Sequence, residues 1–305
     1  MTIELKVPTA TQAIIDISSK KQDQIREVSI QIATGDKHQD FQGLASEGNA
    51  ERFLSLSSTI TSSETYIKSN EIILARSRTM EQALAQVIDV ASEVADTIAQ
   101  RNNSASGGEI PINVLAESFL ENIATALNTR SDGRYLFAGT KTDTKPVENL
   151  QSSNINSDGI SANAIYYRGN SDVVSIKLSQ SQELSYGVNA NNEAFQNLIG
   201  SVHLLMEGHN NDDKDILADA TDMINNAVEQ LVSIAASTRA ATNTILQSTA
   251  VHTDVAQLAY ENFVDVSAVN VAEATTRMAE LEATIQATYL AFNRLSGLRL
   301  SNFLN

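Results

Sequence analysis

Residues 271–295 read VAEATTRMAELEATIQATYLAFNRL, and their spacing decides the fold. Val271, Ala274, Met278, Leu281, Ile285, Thr288, Phe292 and Leu295 advance by alternating steps of three and four. A 3.5-residue repeat keeps one stripe of a helix turned toward one partner, so this is a coiled-coil or bundle seam. Two further rows share the period. One runs Leu217, Ala220, Ile224, Ala227, Leu231, Ile234, Thr238, Ala241, Ile245; the other runs Ile73, Met80, Leu84, Val87, Ala91, Val94, Ile98, with Ser77 as a polar gap. A shorter row, Leu115, Phe119, Ile123, Ala126, follows Ile110-Pro111-Ile112. Near the N-terminus Ile14, Ile25, Val28 and Ile32 have the same character, interrupted by Ser18 and Lys21. Many seam positions are Ala or Thr, which bury little area each, so stability has to come from helix length or from assembly.

The stretch between these rows differs in composition. From about residue 149 to 192 the chain is rich in Ser, Asn and Gly, and its apolar residues alternate. Residues 164–168, 173–178 and 183–188 read as strands, the first two separated by the turn Gly169-Asn170-Ser171-Asp172. Gly208 to Asp215 reads as a loop whose acids suit the start of the helix that follows. The expected fold is mainly α, with long coiled-coil helices from both chain ends and a small inserted β-rich domain.

Composition narrows the chemistry. The chain has 305 residues, a net charge of −16, no Cys and no Trp. Without Cys there are no disulfides, thiol nucleophiles or Cys-ligated metals. The acidic balance argues against nucleic-acid and membrane partners, because phosphate neutralisation needs clustered cations. At 42% apolar the chain is too hydrophobic to be disordered throughout. The N-terminal residues have no apolar segment of signal-peptide length, and no window approaches a membrane span.

No constellation carries catalysis. Asn210, Asp212, Asp213 and Asp215 fail the EF-hand spacing, lacking Gly at the sixth place and Glu at the twelfth. His203 and His209 have no third ligand in sequence and read as surface histidines. Gly107-Gly108 lacks the Lys-Ser/Thr of a phosphate loop, and no nucleophile elbow or dinucleotide fingerprint occurs. The expectation is therefore no enzyme, no cofactor and no metal site.

One string is more specific. Residues 129–147 read TRSDGRYLFAGTKTDTKPV: a turn ending a helix, a short apolar strand, and a second Gly turn. Gly133, Arg134, Tyr135, Phe137, Gly139, Lys141, Thr142 and Pro146 resemble the signature of the hook–filament junction proteins (hook-associated protein 3) of the bacterial flagellin family. Ile32-Ala33-Thr34-Gly35-Asp36-Lys37 is similar to a turn of that family, and the stretch from Leu281 to Leu304 to its C-terminal ending. The single Asp40 and the Lys145 before Pro146 depart from the pattern.

The resemblance implies a flagellin-like architecture. The two chain ends, 1–40 plus 265–305, would form an axial coiled coil ordered by assembly. Residues 41–147 plus 212–264 would form a helical bundle, and 148–211 an outer β-rich insertion. Candidate assembly positions are Ile25, Val28, Ile32, Met278, Leu281, Ile285, Phe292, Leu295, Leu298 and Leu300. Implied partners are further copies of the chain, hook-associated proteins, flagellin and a flagellar export chaperone. The implied place is the extracellular flagellum, reached by type III export without a cleaved signal. The alternatives are a filament flagellin or, from another class, a secreted coiled-coil adhesin or type III tip protein.

Overall fold

The computed structural model describes residues 10–38, 49–103, 111–151 and 166–301; the side chains of residues 10, 11 and 295–301 are outside that description. The chain divides into two compact units, Ser63–Asp254 and Met1–Ser62 with Val255–Asn305. Among the described residues there are six helices: α1 (Ala10–Thr34), α2 (Ala50–Asn103), α3 (Ile112–Leu127), α4 (Glu193–Asn211), α5 (Lys214–Ser267) and α6 (Val271–Ser301). Two antiparallel hairpins accompany them, β1 (Arg130–Ser131) with β2 (Arg134–Tyr135), and β3 (Val174–Lys177) with β4 (Glu183–Tyr186). The fold is mainly α with a small β part, as expected.

The unit 63–254 is built on the seams read above. Leu84, Val87, Ala91, Val94 and Ile98 of α2 are buried against Leu217, Ala220, Ile224, Ala227 and Leu231 of α5 in one apolar cluster. Helix α3 adds Ile112, Ala116, Phe119 and Ile123, and α4 adds Phe195, Leu198, Ile199 and Val202. Burying a Leu or Ile side chain contributes roughly 1.5–3 kcal/mol, so this cluster is the main source of cohesion. A second cluster joins Ile73 and Ile245 to Ile176, Leu178 and Tyr186 of the β3–β4 hairpin. His252 fastens this hairpin, its Nε2 lying 2.7 Å from the Leu178 carbonyl and its ring stacking on Tyr66.

Four expectations need correction. Residues 193–211, grouped with the β-rich insertion, form helix α4 and lie in the core, because Asn192 caps a run whose apolar residues follow helical spacing. Gly208–Asp215 is not an extended loop. Helix α4 runs to Asn211, Asp212 turns the chain at φ 52°, and Asp213 caps α5 by accepting from the Ile216 and Asp215 amides. Residues 166–168 make only a bridge between Tyr167 and Val147, so β3 pairs with β4 instead. Leu136-Phe137-Ala138 is bent chain, with Phe137 and Ala138 fully buried. The Asp40–Leu44, Gly107-Gly108 and Ala164-Ile165 readings lie outside the described residues.

Candidate assembly interface

The terminal unit is organised by α1 and α6, which run antiparallel. Gln22 Nε2 donates to the Tyr289 hydroxyl at 2.9 Å at one end of the pair. At the other end a bridge links Asp36 to Ala268, with Val269 N donating to Gly35 O at 2.8 Å and Lys37 N to Ser267 O at 2.8 Å. Gly35 supplies the left-handed turn at φ 81° that releases the chain from α1 into this bridge. Asn270 then caps α6, its Oδ1 accepting from the Ala272 and Glu273 amides.

The sequence-predicted assembly positions fall on this pair. Val28, Ala274 and Leu281 are buried together, with Ile25, Ile32, Val269 and Met278 packed against them. Ile285 and Phe292 are half-buried further along α6. Leu295, Leu298 and Leu300 fall among the undescribed side chains. The seam that was expected to face other copies is thus occupied by the chain's own second terminus.

What remains outward-facing was missed by reading the seam alone. Ile15 and Ile17 of α1 are 50% and 47% exposed, and Tyr289 and Leu290 of α6 are 46% and 63% exposed. The end of α5 adds Leu258 and Tyr260, at 61% and 60%. Their signal in the sequence was their position off the heptad stripe, where a helix that packs on one neighbour only would be polar. Elsewhere in the same unit, Phe53 packs on Phe263 with ring centroids 4.7 Å apart.

The 129–147 string lies in the other unit, where it acts as a clamp. Asp132 and Gly133, at φ 50° and 76°, form the two-residue turn between β1 and β2. Arg130 lies over the Tyr135 ring, 4.8 Å from its centroid. Asn128 pairs with the backbone of Val147, donating to its O and accepting from its N at 3.0 Å each. Arg168 N donates to Pro146 O, and Ala190 N donates to Phe137 O, both at 2.9 Å. Gly139 sits at φ 68° against Asn170, whose Oδ1 accepts from Thr140 N. Lys141 and Thr142 continue the loop, and Thr142 O accepts from Tyr135 N at 2.8 Å. Tyr166 donates to Ala190 O at 2.9 Å, and burial raises its pKa. Tyr167 donates to Asn170 O, with its pKa pushed up to about 12 by burial. Both phenols therefore stay neutral and serve as fixed donors.

The histidines are not free surface groups. His203 Nε2 donates to Leu150 O at 2.9 Å, and burial holds its pKa below the usual value. His209 Nδ1 accepts from Nε of Arg101 at 3.0 Å, and the same guanidinium, only 7% exposed, reaches Asp212 at 2.6 Å. Their partners lie 53 and 108 residues away in sequence, beyond any spacing rule. Among the described residues no group of His, Asp and Glu is placed to hold a metal, and no helix is long and apolar enough to cross a membrane.

The sequence matches no family model and no curated protein. Solved structures do match. One, described as a flagellar hook-associated protein from Vibrio parahaemolyticus, aligns over 71% of this chain and 96% of its own, with 15% identity and a TM-score of 0.54. A second, Bacillus cereus FlgL, aligns over 65% of this chain and 98% of its own, with 17% identity and a TM-score of 0.49. The Vibrio likeness places this chain in the fold of a flagellar hook-associated protein.

Proposed function

We propose that the chain is a structural subunit of the bacterial flagellum, acting at the junction between hook and filament. The observation that carries this reading is the pairing of the two chain ends. Helices α1 and α6 are held together by a thin seam while Ile15, Ile17, Tyr289 and Leu290 are left exposed on the same pair. An apolar surface on a slender helix pair is what a subunit offers to neighbours that complete its core. The fold likeness to a hook-associated protein and the 133–146 string support the same reading.

In this reading each subunit packs its terminal pair among those of other copies, of hook-associated proteins and of flagellin. The unit 63–254 stands as a preformed body with its own core. Torque passes through packed helices, with no turnover and no cofactor. Before assembly the chain is held by an export chaperone and leaves through the flagellar type III channel. Twelve acids against three bases between Asp212 and Glu282 keep the monomer soluble.

The test is location and loss of function. Gold-labelled antibody to the 63–254 unit should mark one point per flagellum, where the hook ends. Deletion of the gene should leave hooks without filaments and flagellin in the medium. Label along the whole filament would make the chain a filament subunit. Unchanged motility and filaments after deletion would refute a flagellar role.

A further inference from the structure

The unit 63–254 carries a cleft of its own. It lies between α2, the 134–142 loop and the β3–β4 hairpin, with Met80, Leu136, Val174 and Val188 giving it apolar walls. Among the described residues its charged lining is Arg76 and Arg134, with no acid. Tyr135 and Tyr186 stand beside the two cations.

Arg76 is held on one side by its own chain, through Tyr186, and keeps one donor without an acceptor. Its side chain is 18% exposed, and its Nε finds no hydrogen-bond acceptor among the described residues. The nearest carboxylate oxygen, Oδ2 of the exposed Asp132, is 3.9 Å away, beyond hydrogen-bond range. Burial lifts the Tyr186 pKa, while Arg76, by its charge and by a side-chain hydrogen bond, and then Arg134, by its charge, lower it, so both cations act on the same ring. A buried donor without an acceptor is costly, and a guanidinium matches a carboxylate in shape and charge.

We propose that this cleft receives the carboxylate of an acidic side chain from a second copy of the chain. The apolar walls suit a carboxylate on a hydrocarbon stem better than a bare inorganic anion. Two guanidiniums at an open, salt-screened site hold a free anion weakly, whereas an anion delivered by a larger interface benefits from high effective concentration. A second copy carries suitable groups. Asp215, Asp219 and Asp222 are exposed in one row along α5, spaced four and three residues apart. The cleft lies on the unit that the terminal helices do not form, so the site belongs to the monomer. Only the identity of its occupant rests on the proposed self-association.

The experiment uses the full chain at concentrations where it is monomeric. A fluorescent peptide copying residues 212–222 is titrated against the parent and against Arg76→Gln/Arg134→Gln, with anisotropy as readout. Saturable binding that weakens at least tenfold in the double variant, and that weakens again when Asp215, Asp219 and Asp222 of the peptide are replaced by Asn, is expected. Arg134→Gln alone, at an exposed position, keeps the test decisive if the double variant fails to fold, and should weaken binding severalfold. Equal binding to parent and variant, or no binding to the parent, overturns the site. Displacement of the peptide by inorganic phosphate at comparable concentration overturns the second-copy assignment in favour of a free anion. A parent that binds the peptide but never self-associates refutes the proposed function while leaving the carboxylate site standing.

Discussion

Replacing Leu281 by Asp should release the two chain ends while leaving the unit 63–254 folded. Leu281 is 7% exposed and lies with Val28 and Ala274 at the centre of the α1–α6 seam. Removing its side chain from that contact loses about 2 kcal/mol of burial. Placing a carboxylate among Ile25, Ile32, Val269 and Met278 adds several kcal/mol of desolvation. The total is on the order of 5 kcal/mol, comparable to the whole stability of a small domain. Seven apolar side chains, three of them buried, cannot absorb that loss. The pair should separate, and isolated helices of 25 and 31 residues with interrupted or Ala- and Thr-rich seams should fray. Circular dichroism at 222 nm should fall by about a quarter, the share of the chain's helix held in α1 and α6. Trypsin should cut early at Lys20, Lys21 and Arg26 in α1 and at Arg277 in α6, while cleavage between residues 63 and 254 stays slow. Leu281→Met, which keeps volume and polarity, should cost less than about 1.5 kcal/mol and show neither change. Parental ellipticity together with a parental digestion pattern in Leu281→Asp would refute the reasoning.

Gly139→Ala and Gly133→Ala should separate a clash from mere strain. A Cβ at Gly139 would lie 2.3 Å from Asn170 Oδ1 and 2.5 Å from Asn170 O, whereas at Gly133 its nearest neighbour is 4.0 Å away. The first should cost roughly 3 kcal/mol or more and the second about 1 kcal/mol, read from urea midpoints. Ser77→Ala should stabilise by about 1 kcal/mol, because the Ser77 Oγ is buried in the α2 seam without a hydrogen-bond partner among the described residues; a loss of stability would count against that placement. His203 should make the 63–254 unit acid-sensitive. Its folded pKa is lowered by burial, so its contribution is intact above the unfolded value of about 6.5 and is lost as pH falls from there toward the folded pKa. The parent should therefore lose more stability than His203→Gln between pH 7.5 and 5, and parallel losses would contradict this.

The helical part of the fold was legible because it depends on period alone. The rows from Ile73 and Leu217 are the buried faces of α2 and α5. Ser77 and Thr238, polar members of those rows, are buried as well, Thr238 by donating its hydroxyl to Ile234 O within its own helix. Where local composition competed with tertiary packing, the sequence misled. The Asn- and Asp-rich run after Gly208 looked like a loop, yet a single left-handed Asp212 is enough to turn the chain between α4 and α5. Gly208 is buried there, and a Cβ on it would lie 2.8 Å from Leu217, so close approach rather than flexibility explains that glycine. The roles of His203, His209 and Arg101 rest on partners far off in the chain, which no one-dimensional pattern encodes. The assembly positions were half legible: the stripe marks where helices meet, but not whether the partner helix belongs to the same chain.

The most direct test of the central claim uses the absence of cysteine. Ile17→Cys with Leu290→Cys places two thiols on the outward side of the α1–α6 pair in a chain that has no other. Mild oxidation of sheared flagella from a strain carrying this variant, followed by denaturing electrophoresis, separates links within a chain from links between chains. Species of twice the 32.9 kDa chain mass and above, present in flagella and absent from the dilute monomer, are expected. Only single-chain species in assembled flagella would contradict the account.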